Sequence, residues 1–339
     1  LWVILVSCVV KIALQLEFGR QSIFRGITVM NMMNVLPGPR FGKRRISWSL
    51  WSWLVLWIFK PLQLGGIIGG VAIILNIAIP FLGIAAWTII TALIVISVML
   101  FGYYGVVEKI SLVFMGLFTV FTLLSLFMVQ KTGFAVTWPD IAEGLSFKLP
   151  KATVGFALAA FGLTGVGGDE ILSYNYWCIE KGYARFAGPR ENSEAWQQRA
   201  RGWIRVMYMD AFLSMIVYTI VTAAFFLLGA SILYQRGEVP AGYQMIETIS
   251  RIYTDSVGPA AKNIFLLGSF VVLFSTLFAA LAIRTRVFSD LFGVLKWIDF
   301  SNLKVRMRTI RILAVVFPVL WTIAFLVVKL PVLMVTIGG

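Results

Sequence analysis

The feature that most constrains this chain is a succession of apolar blocks about twenty residues long or longer, as at 83–103 and 261–284. At 1.5 Å per residue, roughly twenty helical residues cross a hydrocarbon core about 30 Å thick. Lipid offers no partner for backbone N–H and C=O groups, so only helices or closed barrels can span it. The blocks lack the period-2 alternation of barrel strands, which leaves helices. Composition agrees: 60% of the residues are hydrophobic and 13% charged, with a mean hydropathy of +0.90. A soluble domain of 339 residues needs about twice that charge to cover its surface. The expected fold class is an all-α polytopic membrane protein, folded as a single transmembrane domain over 1–339.

Eight spans are expected, at 1–18, 47–78, 83–103, 107–129, 152–180, 204–233, 261–284 and 311–328, with the stub of a ninth after Pro331. The connection around Pro80 is so short that the helices it joins must be antiparallel neighbours. The net charge of +14 would suggest nucleic acid in a soluble chain, but here its distribution excludes that reading. Arg20, Arg25, Arg40, Lys43, Arg44 and Arg45 follow span 1, and Lys181, Arg185, Arg190, Arg199, Arg201 and Arg205 follow span 5. Arg284, Arg286, Lys296, Lys304, Arg306, Arg308 and Arg311 follow span 7. The alternate loops are poorer in Lys and Arg. The expectation is that 19–46, 181–205 and 284–311 are cytoplasmic loops of a plasma (inner) membrane protein. Residues 285–300 read either as an amphipathic helix on the inner surface or as an ordinary loop helix. The two cysteines imply no disulfide framework. An apolar run open at each terminus is read as truncation at both ends.

Span 5 carries the chemistry. From Gly162 to Gly168 four of seven residues are glycine, and Asp169 and Glu170 follow at once. Glycine costs a helix about 1 kcal/mol relative to alanine, and a carboxylate near the bilayer centre costs about 2.5–3.5 kcal/mol on insertion scales. A broken helix is therefore expected, with unwound carbonyls and a half-helix N-terminus around an ion or substrate, as in secondary transporters. The other reading is tight helix packing at the glycines, with the carboxylates facing water. A dinucleotide fingerprint at Gly165-Val166-Gly167 is rejected because no strand precedes it. Two carboxylates beside carbonyls suit a hard or borderline divalent cation such as Mg²⁺ or Mn²⁺. The candidate ion-binding residues are Asp169 and Glu170, then the carbonyls of Gly165, Val166 and Gly167. Thr164, Tyr174, Gln63 and Cys178 are candidate pathway residues. Glu170, Tyr174 and Cys178 recur at i, i+4 and i+8 and so share a face, although such a cysteine is more often a small packed residue. Lys11, Lys60, Pro61, Asn76 and Asp210 are further polar interruptions, each able to line a pathway or to pair with a neighbour.

Several local runs occur in a familiar order. They are Leu14-Gln15-Leu16-Glu17-Phe18-Gly19-Arg20 with Gly26-Ile27-Thr28, then the Gly- and Ala-rich run from Gly69 to Asn76, Phe161-Gly162-Leu163-Thr164 to Glu170, and Asp210. Together they resemble the Nramp (natural resistance-associated macrophage protein) family of divalent-metal transporters. The resemblance would run from that family's second helix to the start of its tenth. It implies a leucine-transporter-type inverted-repeat fold, a divalent metal as transported substrate rather than a cofactor, the lipid bilayer as surroundings and no obligate protein partner. The family's Met-Pro-His motif in helix six is replaced by Gly167-Gly168-Asp169-Glu170, and the chain has no histidine. Gln63 and Gly66 stand where helix three carries carboxylates, and the family's first helix has no counterpart in this sequence. These departures point to a divergent branch using hard oxygen chemistry, carrying Mn²⁺, Fe²⁺ or Mg²⁺ by alternating access. The alternatives are a sodium-coupled amino-acid or organic-cation transporter of the same fold, and a non-transporting sensor or scaffold. An enzyme is disfavoured, since no nucleophile–base pair or Cys/His cluster is present.

Overall fold

A computed structural model describes residues 1–102 and 104–339, side chains at 104, 106–108 and 152 excepted. In chain order it contains α1 (Trp2–Arg25), α2 (Val29–Asn34), β1 (Arg40–Phe41), β2 (Ile46–Ser47), α3 (Trp48–Trp57), α4 (Lys60–Ala78), α5 (Ile84–Phe101) and α6 (Tyr104–Val129). There follow α7 (Trp138–Gly144), α8 (Val154–Leu163), α9 (Gly168–Glu180), α10 (Tyr183–Ala187), α11 (Glu194–Leu228), α12 (Met245–Val257), α13 (Ala261–Val294), α14 (Leu303–Val328) and α15 (Pro331–Gly338). The two short strands pair antiparallel, Arg40 opposite Ser47 and Phe41 opposite Ile46.

Among the described residues, eight helical stretches are long and apolar enough to cross a membrane, one for each expected span. The chain is thus an all-α polytopic membrane protein. Tyr103, expected as the last residue of the third span, lies outside the described residues. The second span is two helices, because the chain pauses at Ile58–Phe59 before Pro61, which sits in the first turn of α4. There the missing proline N–H costs nothing. The sixth span starts earlier than expected, at Glu194, where the Ser193 hydroxyl caps the helix by accepting from Trp196 N–H at 3.2 Å.

Residues 285–294 are neither a surface helix nor a loop helix but the last turns of α13. Their apolar face does not meet lipid headgroups. Phe288 and Leu291 are buried, and the Phe288 ring lies 4.3 Å from Trp57 and 5.2 Å from Phe317, centroid to centroid. Aromatic partners on α3 and α14 win over the membrane surface at Phe288, while Phe292 stays half-buried and Trp297 is exposed.

Helix α4 runs through the centre. Leu64, Ile68, Val71 and Ala72 are buried, and its neighbours are α5, α13, α14 and α15. A Cβ at Gly69 would land within the Phe325 ring of α14, so glycine there sets how closely the two helices approach. Large apolar side chains on the outer faces, among them Leu93 on α5, Leu117 on α6 and Leu213 on α11, are exposed. Those faces are the ones hydrocarbon would cover.

The three basic segments meet at one end of the bundle. Arg44, before β2, donates to the Leu295 carbonyl after α13, and the Arg190 guanidinium lies 5.0 Å from the Phe24 ring centroid near the end of α1. At the start of α1, the Trp2 indole donates to the Lys148 carbonyl at 3.2 Å.

Candidate functional site

The fifth span is broken where the glycines predict. Helix α8 stops at Leu163, the chain is extended at Thr164, and Gly165 turns left-handed with φ +71° before α9 begins at Gly168. A side chain at Gly165 is barred twice. The backbone conformation disfavours one, and a Cβ would sit 2.9 Å from both Cys8 Sγ and the Tyr218 ring.

Ending a helix inside a span strands its last carbonyls, and α1 supplies partners for them. The Ser7 hydroxyl donates to the Phe161 carbonyl at 2.7 Å. One turn later on the same face, the Lys11 ammonium donates to the Gly162 carbonyl at 3.0 Å and the Thr164 carbonyl at 2.9 Å. Lys11 is 4% exposed, and its Nζ lies 5.6 Å from the Phe161 ring centroid. A cation at this end of α8 is also favoured by the helix dipole, whose C-terminal end is negative. The Gly165 and Val166 carbonyls accept no hydrogen bond among the described residues.

Beyond the break the two carboxylates diverge. Glu170 is exposed, and its side chain turns back to accept from Gly167 N–H, capping α9. Asp169 points the other way, and its Oδ2 accepts from Arg284 of α13 at 3.0 Å from Nε and 2.9 Å from Nη2. The pair is secluded, with 6% of the Arg284 side chain and 11% of Asp169 exposed. Arg284 Nη1 has no partner among the described residues. A cavity of about 330 Å³ opens beside Asp169, lined also by Trp53, Trp57, Lys60, Gly168 and Leu172. Lys60 donates to Gln63 Oε1 at 3.1 Å. Three cationic side chains (Lys11, Lys60 and Arg284) thus face two carboxylates around the break, one net positive charge.

Gly165, Val166 and Gly167 make up the break itself with Thr164 at its edge, Asp169 lies in the first turn of the helix after it, and Gln63 accepts from Lys60, which lines the cavity beside Asp169. Glu170, Tyr174 and Cys178 lie at i, i+4 and i+8 of α9 on one face, but the Glu170 side chain, as the third residue of the helix, folds back to its free amides, while the other two are buried in a cluster with Trp196 and Met207. Tyr174 also borders a second cavity of about 390 Å³, together with Met115, Trp177, Lys181 and Asp210. Asp210 pairs with Lys181 at 2.6 Å, a half-exposed contact of modest worth. Among the described residues no three His, Cys, Asp or Glu side chains converge as a preformed metal cage.

Sequence reasoning missed the roles of Arg284 and Lys11. Arg284 was read as the first charge of a basic loop, yet helical periodicity carried ten residues past it was the available sign that it lies within a helix. Also missed was a buried polar network two turns further along α9. Tyr176 donates to Asp290 at 2.6 Å, and the Asn175 amide holds the 26–29 connection through Val29 N–H at 3.0 Å and the Ile27 carbonyl at 3.2 Å.

A search of curated proteins gives no match. The family model described as Nramp, natural resistance-associated macrophage protein-like, matches residues 1–338. That match takes in every helix from α1 to α15, the broken one included. The chain belongs to the Nramp family, whose members transport divalent metal ions as substrate.

Proposed function

We propose that this chain carries a divalent metal ion, Mn²⁺, Fe²⁺ or Mg²⁺, across the membrane by alternating access, holding it at the break between α8 and α9. The observation that carries the reading is the unwound segment 164–167, with the open carbonyls of Gly165 and Val166 and, two residues past it, the largely secluded carboxylate of Asp169. A broken helix supplies oxygen donors at membrane depth where an intact one supplies none. Asp169 is the principal charged ligand, the carbonyls of Gly165, Val166 and Gly167 complete the first set of donors, and Glu170 attracts the ion from the mouth. Thr164, Tyr174, Gln63 and Cys178 line the way. Without methionine or histidine at the break the donors are hard, which favours Mn²⁺ and Mg²⁺ over softer ions.

Loading needs a rearrangement. A divalent ion arriving beside Asp169 meets Arg284 already in place, and the two cannot share one carboxylate oxygen at low dielectric without strong repulsion. The conformation with the pair closed is thus an ion-free stage of the cycle, and the pair opens as the ion binds. The basic segments 19–46, 181–205 and 284–311, Arg284 itself excepted, face the cytoplasm from a plasma (inner) membrane, and a single chain does the carrying without an obligate partner.

The test is uptake into sealed proteoliposomes under an imposed membrane potential, with Mn²⁺ and Mg²⁺ offered separately. The reading expects saturable flux of at least one ion above protein-free vesicles. Flux of neither, in vesicles that contain folded protein, overturns it.

A further inference from the structure

The carbonyl end of α8 looks like half of a cation site, and the chain has filled it from within. Two carbonyl oxygens, Gly162 O and Thr164 O, converge on one point, and the negative end of a helix dipole is aimed there. Oxygen donors so placed are what a small inorganic cation would take. The occupant is instead the Lys11 ammonium, brought in from α1 at 3.0 and 2.9 Å and closed off above by the Phe161 ring. The neighbouring Phe161 carbonyl is held by Ser7 from the same face of α1, so that face is built to seal this end of α8. A buried lysine in a span is costly, and a stabilising role for the half-helix alone could be met by a neutral donor such as Ser7.

We propose that Lys11 is a tethered cation occupying a real cation position at the end of α8, and that a free inorganic cation takes that position only when Lys11 leaves it. The inference rests on the break being the ion-handling part of the carrier. It goes further by making part of that region self-occupied: the ammonium supplies the charge in the ion-free stage, and swinging α1 away from α8 vacates the position. Lys11 is then a residue that decides when the break accepts a cation. The incoming ion is either the divalent cargo or a monovalent companion such as Na⁺, both of which suit carbonyl oxygen.

The test uses chemical rescue of stability in detergent, read by intrinsic tryptophan fluorescence on heating. Lys11→Met and Lys11→Gln are compared with the unchanged chain in choline chloride, then in NaCl and in MnCl₂ at matched ionic strength. Each variant is expected to melt lower than the unchanged chain in choline, by about 3 °C or more, since two buried carbonyls lose their partner. NaCl or MnCl₂ should then restore at least half of that loss saturably, while shifting the unchanged chain and Lys11→Arg much less. Rescue by Na⁺ alone marks a companion-ion position, and rescue by Mn²⁺ alone a cargo position. A variant that folds only in one of those salts gives the same answer. Variants that melt like the unchanged chain, that respond to both salts no more than it does, or that fold in none of the three salts overturn the proposal. Because nothing here depends on flux, the rescue can fail while the unchanged chain still transports metal, and can succeed where it does not.

Discussion

Asp169 and Arg284 hold each other in a place where neither can be left alone. With so little of either side chain exposed, removing one strands the other's charge, which costs about 3–5 kcal/mol at buried pairs. Asp169→Asn should therefore lower the melting temperature sharply, and Arg284→Met should do the same. The double variant Asp169→Leu with Arg284→Met should recover much of the loss, because no charge remains to be solvated. If the double variant is as unstable as the sum of the singles, the two residues act independently and the pairing has been misjudged. The break was legible in the sequence, since four glycines and an acidic pair interrupt one span. The partner of Asp169 was not, because Arg284 is 115 residues away and only the packing of α13 against α9 brings them together. The same holds for Lys11, whose position in a span marked it as polar but whose carbonyl partners lie more than 150 residues on. The capping contact of Glu170 has a local reason: three residues into a helix, a glutamate is drawn to the free amides behind it.

At the scale of elements, the glycines of α4 and the polar groups of α9 make separable predictions. Gly69→Ala forces its methyl into Phe325 and should cost about 1–3 kcal/mol, as overpacking does. Gly116→Ala on α6, where nothing lies within 4 Å of the added methyl, should be neutral or stabilising by up to about 1 kcal/mol. Equal effects at the two positions would mean that α4 and α14 are not packed through Gly69. On α9, Tyr176→Phe takes a hydrogen bond from buried Asp290 and should destabilise by about 1–3 kcal/mol, measured by thermal melting in detergent. Outside the spans, α7 carries a pH signature. The Thr137 hydroxyl and N–H both donate to Asp140, at 2.6 and 2.8 Å, and hold its carboxyl below the ordinary carboxylate range. A lowered folded value means that the contribution is complete above the unfolded value and fades as pH falls through the folded one. Protection of the Thr137, Trp138, Asp140 and Ile141 amides, corrected for the intrinsic pH dependence of exchange, should be flat near neutrality and fall only below about pH 4. Protection already lost at pH 6 would rule out the cap as its cause.

For the whole molecule, hydropathy and loop charge were enough to count the spans, because membrane insertion depends on length and polarity more than on partners. What they could not reveal was where helices continue past the apolar run. Glu194 to about Arg205 and Thr285 to Val294 are helical although charged, since Trp203 of the first stacks on Tyr183 and Phe186, and Phe288 of the second packs against Trp53 and Phe317. The convergence of the three basic segments at one end predicts a labelling pattern. Cysteines placed at Ser301 and at Gly42 should react with an impermeant maleimide from the same side, and one at Gly133 from the other. Both native cysteines are buried and should stay silent. Labelling of positions 42 and 301 from opposite sides would break the topology.

The most direct trial of the account is to locate the ion. Crystals grown with Mn²⁺ would be measured at the manganese absorption edge. The account predicts an anomalous peak within ligand distance of the 164–170 segment, with Asp169 turned from Arg284 toward it. A peak elsewhere in the molecule, with the Asp169–Arg284 pair still closed, would contradict it.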